Sequence, residues 1–258
     1  MMDFKKFSSL ENAYRQKLVD QCHQLGIAEW VALEKVHGAN FSFIVNGTEV
    51  QPAKRSGIIG RNPHGNYEFY GCNPVVEEYE QKMIDLSNLV EGPVQVFGEL
   101  YGECIQKEVA YGKKDFIAYD IMLEDGTFLG WTIVQELCDQ FGIPTTPELG
   151  MSILGQLQDN DPEFTSKLCS DAAEGLVIKP LHSDLRLHTG SRPVLKNKSK
   201  AFSEKKQAKP KKPQKVPEEL QSTFNDFCEY LNENRLNNVI SKLGTVGQKD
   251  FGKLTGLL

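Results

Sequence analysis

Residues 30–47 read Trp30-Val31-Ala32-Leu33-Glu34-Lys35-Val36-His37-Gly38-Ala39-Asn40-Phe41-Ser42-Phe43-Ile44-Val45-Asn46-Gly47. The runs 30–36 and 40–45 are rich in β-branched and aromatic residues, the composition of paired strands. Asn46-Gly47 supplies a hairpin turn after the second run. Working outward, strands are expected over 92–100, 115–123, 175–179 and 193–198, and helices over 10–25, 74–90, 133–141 and 151–157. Strands with helices interspersed irregularly, without strict βαβα alternation, predict an α+β fold of mainly antiparallel sheets.

The 258 residues leave room for one domain of about 200 residues with a small appendage. No stretch approaches the ~18 uninterrupted apolar residues of a membrane span. Residues 1–9 carry Asp3, Lys5 and Lys6 and lack the apolar centre of a signal peptide. Six cysteines (Cys22, Cys72, Cys104, Cys138, Cys169, Cys228) stand singly, which suits neither a disulfide framework nor a zinc site. They are read as reduced thiols, and the protein is expected in the cytoplasm.

The formal charge of −6 does not advertise a nucleic-acid binder, but it is unevenly spread. Residues 186–215 hold eleven Lys or Arg against one acid, Glu204, so this block is +10 and the remainder −16. Such a block suits a polyanion, because each neutralised phosphate releases counterions. Three parts are expected: a domain over 1–204, a Lys/Pro-rich linker over 205–217 that cannot bury a core, and a helical module over 218–258. In the last, Leu220, Phe224, Phe227 and Leu231 share one helix face, and Leu236, Val239, Ile240 and Leu243 share another before Gly244.

The chemistry begins at Lys35-Val36-His37-Gly38. A lysine at a strand end between apolar neighbours is placed to be partly desolvated, which favours the amine a nucleophile needs. The glycine lets the backbone turn closely around a ligand. Downstream stand Lys54-Arg55-Ser56-Gly57, Phe97-Gly98-Glu99, Phe116-Ile117-Ala118-Tyr119-Asp120, Glu174-Gly175-Leu176-Val177-Ile178-Lys179, and Lys196-Asn197-Lys198, whose lysines share a strand face. Singly, each has an ordinary explanation: a surface lysine before a turn, a core aromatic, a strand-edge acid, a solvated face.

Together they match, in order, the motifs of the covalent nucleotidyltransferases, the superfamily of polynucleotide ligases and RNA capping enzymes: K-x-x-G, S/T/K-R-x-G, F-G-E, an aromatic-plus-acid strand, E-G-x-V-x-K and K-x-K. Within it the chain resembles the RNA ligase 2 family, known from bacteriophages and from the RNA-editing ligases of trypanosomes. The narrower likeness rests on Phe4-Lys5-Lys6-Phe7-Ser8-Ser9-Leu10-Glu11-Asn12, on His37 followed by Asn40-Phe41-Ser42, and on Phe97-Gly98-Glu99 followed by Ile105-Gln106-Lys107. It extends to 234–242 in the tail.

The resemblance implies an ATP-grasp-like ligase domain with flanking helices that forms RNA phosphodiester bonds. It implies that Lys35 attacks ATP and carries AMP, that Glu34 sits by the adenine edge and that Tyr119 stacks on the base. It places Glu99 on the ribose, Lys196 and Lys198 on the α-phosphate, and Glu174 on a divalent cation, Mg²⁺ or alternatively Mn²⁺. His37, Asn40 and Arg55 would act later, on an RNA end with a 5′-phosphate that is joined to a 3′-hydroxyl, at a nick in duplex RNA. A monomer is expected. The stretch between Tyr119 and Glu174 is shorter than in the best-known relatives, and relatives usually carry a longer helical C-terminal domain. The expectation is therefore either ready self-adenylylation with weaker sealing or a chain that is a fragment of a longer protein. DNA ligases and capping enzymes need an OB-fold after K-x-K, which the helical pattern beyond 218 does not suit. The rival of another class is a non-catalytic RNA-binding scaffold, against which every motif position keeps a chemically competent residue.

Overall fold

The computed structural model describes residues 2–182, 184–203 and 233–243. The linker expected over 205–217 and the helix face over 220–231 lie outside the described residues. In chain order the elements are β1 (Glu11–Asn12), α1 (Gln16–Gln24), β2 (Trp30–Glu34), β3 (Ala39–Asn46), β4 (Glu49–Lys54), β5 (Gly57–Ile58), α2 (Asn73–Leu89), β6 (Val94–Tyr101), β7 (Asp115–Leu123), α3 (Trp131–Gln140), β8 (Glu148–Ser152), α4 (Leu154–Gln158), β9 (Gly175–Pro180), β10 (Leu195–Lys198) and α5 (Glu233–Leu243). The strands form two sheets, ordered β1-β10-β9-β2-β8 and β5-β4-β3-β6-β7. All named pairings are antiparallel except β1 with β10. The α+β reading with mainly antiparallel sheets is the observed architecture.

Strand β2 is buried along its whole length because it faces two cores. Val31 and Leu33 enter the large core shared with β3, β6, α2 and α3, while Trp30 and Ala32 enter a second core beneath α1 and α4. A strand covered on both faces has no polar side to show, hence its unbroken apolar run. Strand β3 alternates instead. Phe41, Phe43 and Val45 point into the large core, whereas Ser42 and Ile44 face the N-terminal segment. That segment is tied across the second sheet: the Met2 N–H donates to Asn46 Oδ1 (2.7 Å), and the Lys5 N–H donates to Gln95 Oε1 (3.0 Å).

Several expectations shift. The two strands of the opening stretch do not pair with each other; β2 and β3 belong to different sheets. The hairpin partner of β3 is β4, which the sequence reading passed over, and Asn46 lies opposite Glu49 across a loop of Gly47 and Thr48. Gly47 supplies the left-handed turn residue at φ +63°. The helix expected over 10–25 starts only at Gln16, because Glu11 and Ala13 give their N–H groups to Val194 and Lys196 of the neighbouring strand. The helix expected over 151–157 begins at Leu154, since 148–152 cover the free edge of β2. At the far end α5 is found where the apolar pattern put it, and Asn234 Nδ2 donates to Ala201 O and Ser203 O, both at 3.0 Å. Among the described residues no helix is long and apolar enough to cross a membrane.

Candidate active site

The loop 35–38 leaves β2 in one sheet and enters β3 in the other, so it crosses the cleft between them. Its path is fixed by backbone bonds: the Glu34 N–H donates to Pro147 O and the Lys35 N–H to Gly175 O, each at 2.8 Å. Two glycines are dictated by close approach. A Cβ on Gly38 would stand 2.3 Å from Leu100 O, and one on Gly175, at φ +139°, would stand 2.2 Å from Asn197 O. The glycines of K-x-x-G and E-G are thus where two chain segments touch.

The cleft holds a cavity of about 210 Å³. All ten residues singled out from sequence line it: Glu34, Lys35, His37, Asn40, Arg55, Glu99, Tyr119, Glu174, Lys196 and Lys198. They come from five strands, β2, β3, β6, β7 and β10, and from loops at the ends of β2, β4 and β9. Lys196 and Lys198, two apart on β10, both face the cavity as strand geometry requires.

Glu174 is the hub. Lys35 Nζ lies 2.8 Å from its Oε2, Lys198 Nζ 3.0 Å from its Oε1, and His37 Nδ1 3.1 Å from its Oε2. Burial by itself would raise this carboxyl, but the charges of Lys35 and Lys198 and the bond to His37 hold it well below the usual carboxylate range. Lys35 is partly desolvated, as expected, its side chain keeping 17 % exposure, and it has a carboxylate partner besides its apolar neighbours. The second His37 nitrogen, Nε2, faces Glu108 Oε2 at 3.1 Å, and the His37 N–H donates to the Tyr111 hydroxyl at 3.0 Å.

Around this hub the other residues are held by specific bonds. Burial, opposed by Lys35 and reinforced by the charge of Glu174, pushes the Glu99 carboxyl up to about 7. Asn40 Nδ2 donates to the Tyr119 hydroxyl at 2.5 Å, and the Tyr119 ring meets Phe7 edge-on at 5.0 Å. Burial, with Glu99 and Asp120 nearby, holds that hydroxyl well above its ordinary pKa, so it stays a neutral donor and acceptor. Arg55 Nη2 donates to Ser9 Oγ at 2.8 Å. Glu34 lines the cavity, yet its carboxylate accepts from the Ser166 hydroxyl (2.5 Å) and the Lys167 N–H (2.8 Å). Its side chain therefore anchors the 166–167 turn.

Other residues line the cavity or brace it from behind. Phe7, Ser9 and Leu10 come from a segment quoted only for its likeness to a family. Glu108 and Tyr111 hold His37 from an irregular loop without periodicity to flag it. Lys179 and Asp120 sat in view within two motifs. Lys179 Nζ bonds Asp120 Oδ1 at 2.8 Å and the Tyr119 carbonyl at 2.5 Å, and Arg192 Nη1 bonds Asp120 Oδ2 at 2.9 Å. From α5, Asn238, Ser241 and Lys242 also reach the wall.

A divalent cation has a narrow fit here. Among the described residues no group of three or more His, Cys, Asp or Glu is arranged to hold a metal. Magnesium commonly takes one or two carboxylates and draws its remaining ligands from phosphates and water. Glu174, buried and facing the cavity, suits that sparse protein share and no larger one.

Comparison with known proteins adds the following. The family model for RNA ligase matches residues 28–198, and that for the T4 RNA ligase 2 C-terminal region matches residues 214–258. The mitochondrial RNA-editing ligase 1 of Trypanosoma brucei brucei is 34% identical over 98 residues, covering 33% of this chain and 20% of that protein. RNA-editing ligase 2 of the same organism is 28% identical over 110 residues, 38% of this chain and 25% of that protein. The chain thus spans a fifth to a quarter of the length of these relatives. Among solved structures, a mutant RNA ligase from Naegleria gruberi with ATP and Mn superposes with a TM-score of 0.59 at 19% identity, over 78% of this chain and 59% of that one. That likeness is one of fold.

Proposed function

The chain belongs to the RNA ligase family, on its RNA ligase 2 branch, and from that premise we propose that it joins RNA ends with ATP through an AMP carried on Lys35. The observation that carries this reading is the convergence of Lys35, Glu174, Lys196 and Lys198 on one cavity between the sheets. A lysine amine next to phosphate-binding cations in a partly enclosed cleft is suited to nucleotidyl transfer, where positioning and charge stabilisation do most of the work.

In the first step the Lys35 amine, having given up its proton, attacks the α-phosphorus of ATP. A phosphorus–nitrogen bond forms, the α–β phosphoanhydride breaks, and pyrophosphate leaves. Lys196 and Lys198 face the oxygens on which charge accumulates, and Glu99 and Tyr119 position the nucleoside. Lys35 must first exchange its contact with Glu174 for the phosphate, while Lys198 and His37 keep that carboxylate in place. In the second step an oxygen of an RNA 5′-phosphate displaces the lysine, leaving an AMP-capped end. In the third a 3′-hydroxyl attacks that end, the phosphodiester forms and AMP departs. Arg55, Asn40 and His37 are assigned to the RNA phosphate, for which a planar guanidinium is well shaped. When bound by Glu174 and phosphate oxygens, Mg²⁺ or Mn²⁺ would supply neutralising charge at the phosphates. Nicked duplex RNA is the proposed substrate.

Incubation with α-labelled ATP and a divalent cation, followed by denaturing electrophoresis, tests the reading. Label retained from ATP, absent from GTP and lost in Lys35→Ala is the expected result. No label from either nucleotide on protein freed of any bound AMP would replace the ligase reading with that of an RNA-binding scaffold.

A further inference from the structure

Three residues of the irregular loop 102–114, between β6 and β7, fall on the turn that follows Lys35. Gln106 Nε2 donates to Gly38 O at 3.3 Å, the Tyr111 hydroxyl accepts from the His37 N–H at 3.0 Å, and Glu108 Oε2 lies 3.1 Å from His37 Nε2. The loop is itself tied down, with the Ala110 N–H donating to Asp171 Oδ2 at 2.7 Å. The Glu108 side chain is 41 % exposed, so packing alone does not fix it. Donors hold it at both oxygens: the Lys107 N–H reaches Oε2 at 3.0 Å, and Asn237 Nδ2 of α5 reaches Oε1 at 3.4 Å.

His37 thereby has a carboxylate at each end of its ring, Glu174 at Nδ1 and Glu108 at Nε2, with the Phe202 ring edge-on at 4.8 Å. A ring bonded at one nitrogen can swing about that contact; bonded at both, its plane is set. The Glu174 end is the less constant of the two, because its Oε2 is shared with Lys35, which turns to the phosphate in the first step. Resting on the reading of His37 as a group that acts on the RNA 5′-phosphate, we propose that Glu108 is a positioning residue, which aims the His37 ring for AMP transfer to RNA and is itself held by Asn237 of α5. In that transfer an oxygen of the RNA 5′-phosphate bonds the AMP phosphorus as the bond from phosphorus to Lys35 Nζ breaks. A reacting group displaced by about 1 Å can cost on the order of 100-fold in rate, so a brace that never touches substrate can govern a step. Self-adenylylation centres on Lys35, whereas the RNA phosphate is met by His37, so loss of Glu108 falls more heavily on the second step.

The test charges the protein with labelled AMP and mixes it in single turnover with 5′-phosphorylated RNA, as nicked duplex and as single strand, beside measurements of self-adenylylation. Glu108→Ala is expected to slow AMP transfer about 10- to 100-fold and self-adenylylation by no more than about 3-fold. Glu108→Gln, which keeps an acceptor of the same reach, should return transfer to within about 5-fold of wild type. Asn237→Ala should slow transfer about 2- to 5-fold alone and add nothing to Glu108→Ala, since it acts through that carboxylate. In long-range ¹H–¹⁵N spectra of histidine-labelled protein, the ring signals that His37→Gln removes should shift in Glu108→Ala, while the melting point moves by no more than about 2 °C. Equal loss in both steps, Glu108→Gln as slow as Glu108→Ala, an additive Asn237→Ala, or unmoved His37 signals would each overturn the assignment. A wild-type protein that takes no label from ATP removes the ligase reading and this inference with it; a labelled wild type whose Glu108→Ala variant transfers AMP normally removes the inference alone.

Discussion

Glu174 and Asp120 are both buried carboxylates placed between two cations, and both line the same cleft. Glu174 takes Lys35 at 2.8 Å and Lys198 at 3.0 Å; Asp120 takes Lys179 at 2.8 Å and Arg192 at 2.9 Å. The difference lies in what else the cations touch. Lys179 lies over the Trp131 ring at 4.5 Å and Arg192 over Phe128 at 3.9 Å, with side chains 3 % and 4 % exposed. Lys35 keeps 17 % exposure and opens onto the cavity. The same chemical set is a fixed strut where aromatic faces enclose its cations, and a movable one where a cation can turn toward a ligand. Whether an ion pair is structural or reactive is decided by the freedom of its cation, not by its distance.

The largest expected effect separates the two outright. Lys35→Ala should reduce adduct formation by more than ~1,000-fold, the scale of removing a nucleophile, while thermal melting stays close to wild type. Asp120→Asn should do the reverse. It leaves two buried cations with no carboxylate, and urea unfolding should report a loss of about 3–5 kcal/mol, with the labelled fraction following the folded fraction. Glu174→Gln falls between them: adduct formation drops roughly 100-fold, and the stability loss is smaller than for Asp120→Asn because Lys35 can rotate into the cavity. If Glu174→Gln proved the more destabilising of the two, the contrast between strut and movable pair would be wrong.

The smallest effect is one of pH. The Glu99 carboxyl, raised to about 7 when folded, stays protonated where the unfolded chain has lost its proton. Stability should therefore fall as pH rises from about 4.5 to about 7, by about 3 kcal/mol, and Glu99→Gln should flatten that slope. Glu174 and Asp120 act with the opposite sign. For Asp120, burial works upward but Arg192 and Lys179 win, and Glu174 is likewise depressed. Their contributions are present above the ordinary carboxylate pKa and are lost as pH falls through the lowered values. Denaturant titrations of wild type and Glu99→Gln from about pH 2 to about pH 8 resolve the two directions.

Much of the fold was legible because the strands around the site are long and buried. The run 115–123 coincides with β7, and 175–179 lies within β9. The errors fall where a tertiary partner overrode local pattern. Residues 11–12 and 148–152 are strands because β10 and β2 had edges to fill, which no helical propensity records. All ten candidate residues line one cavity because motif order carried the information that single residues lacked. The supporting shell was not readable. Glu108 reaches His37 across 71 positions and Ser166 reaches Glu34 across 132, links that only the folded chain creates.

The separation of Lys35 from Glu174, 139 positions, has a consequence for how the protein is made. At about 5–20 residues per second, a ribosome adds Glu174 roughly 7–28 s after Lys35. For that interval the nascent chain carries the proposed nucleophile without the carboxylate that will hold it. Strand β2 likewise waits for both neighbours, β8 and β9, before its faces are covered. The proposed nucleotide site is thus among the last features of the fold to exist, and half-synthesised chains expose an apolar strand that must be kept from pairing elsewhere.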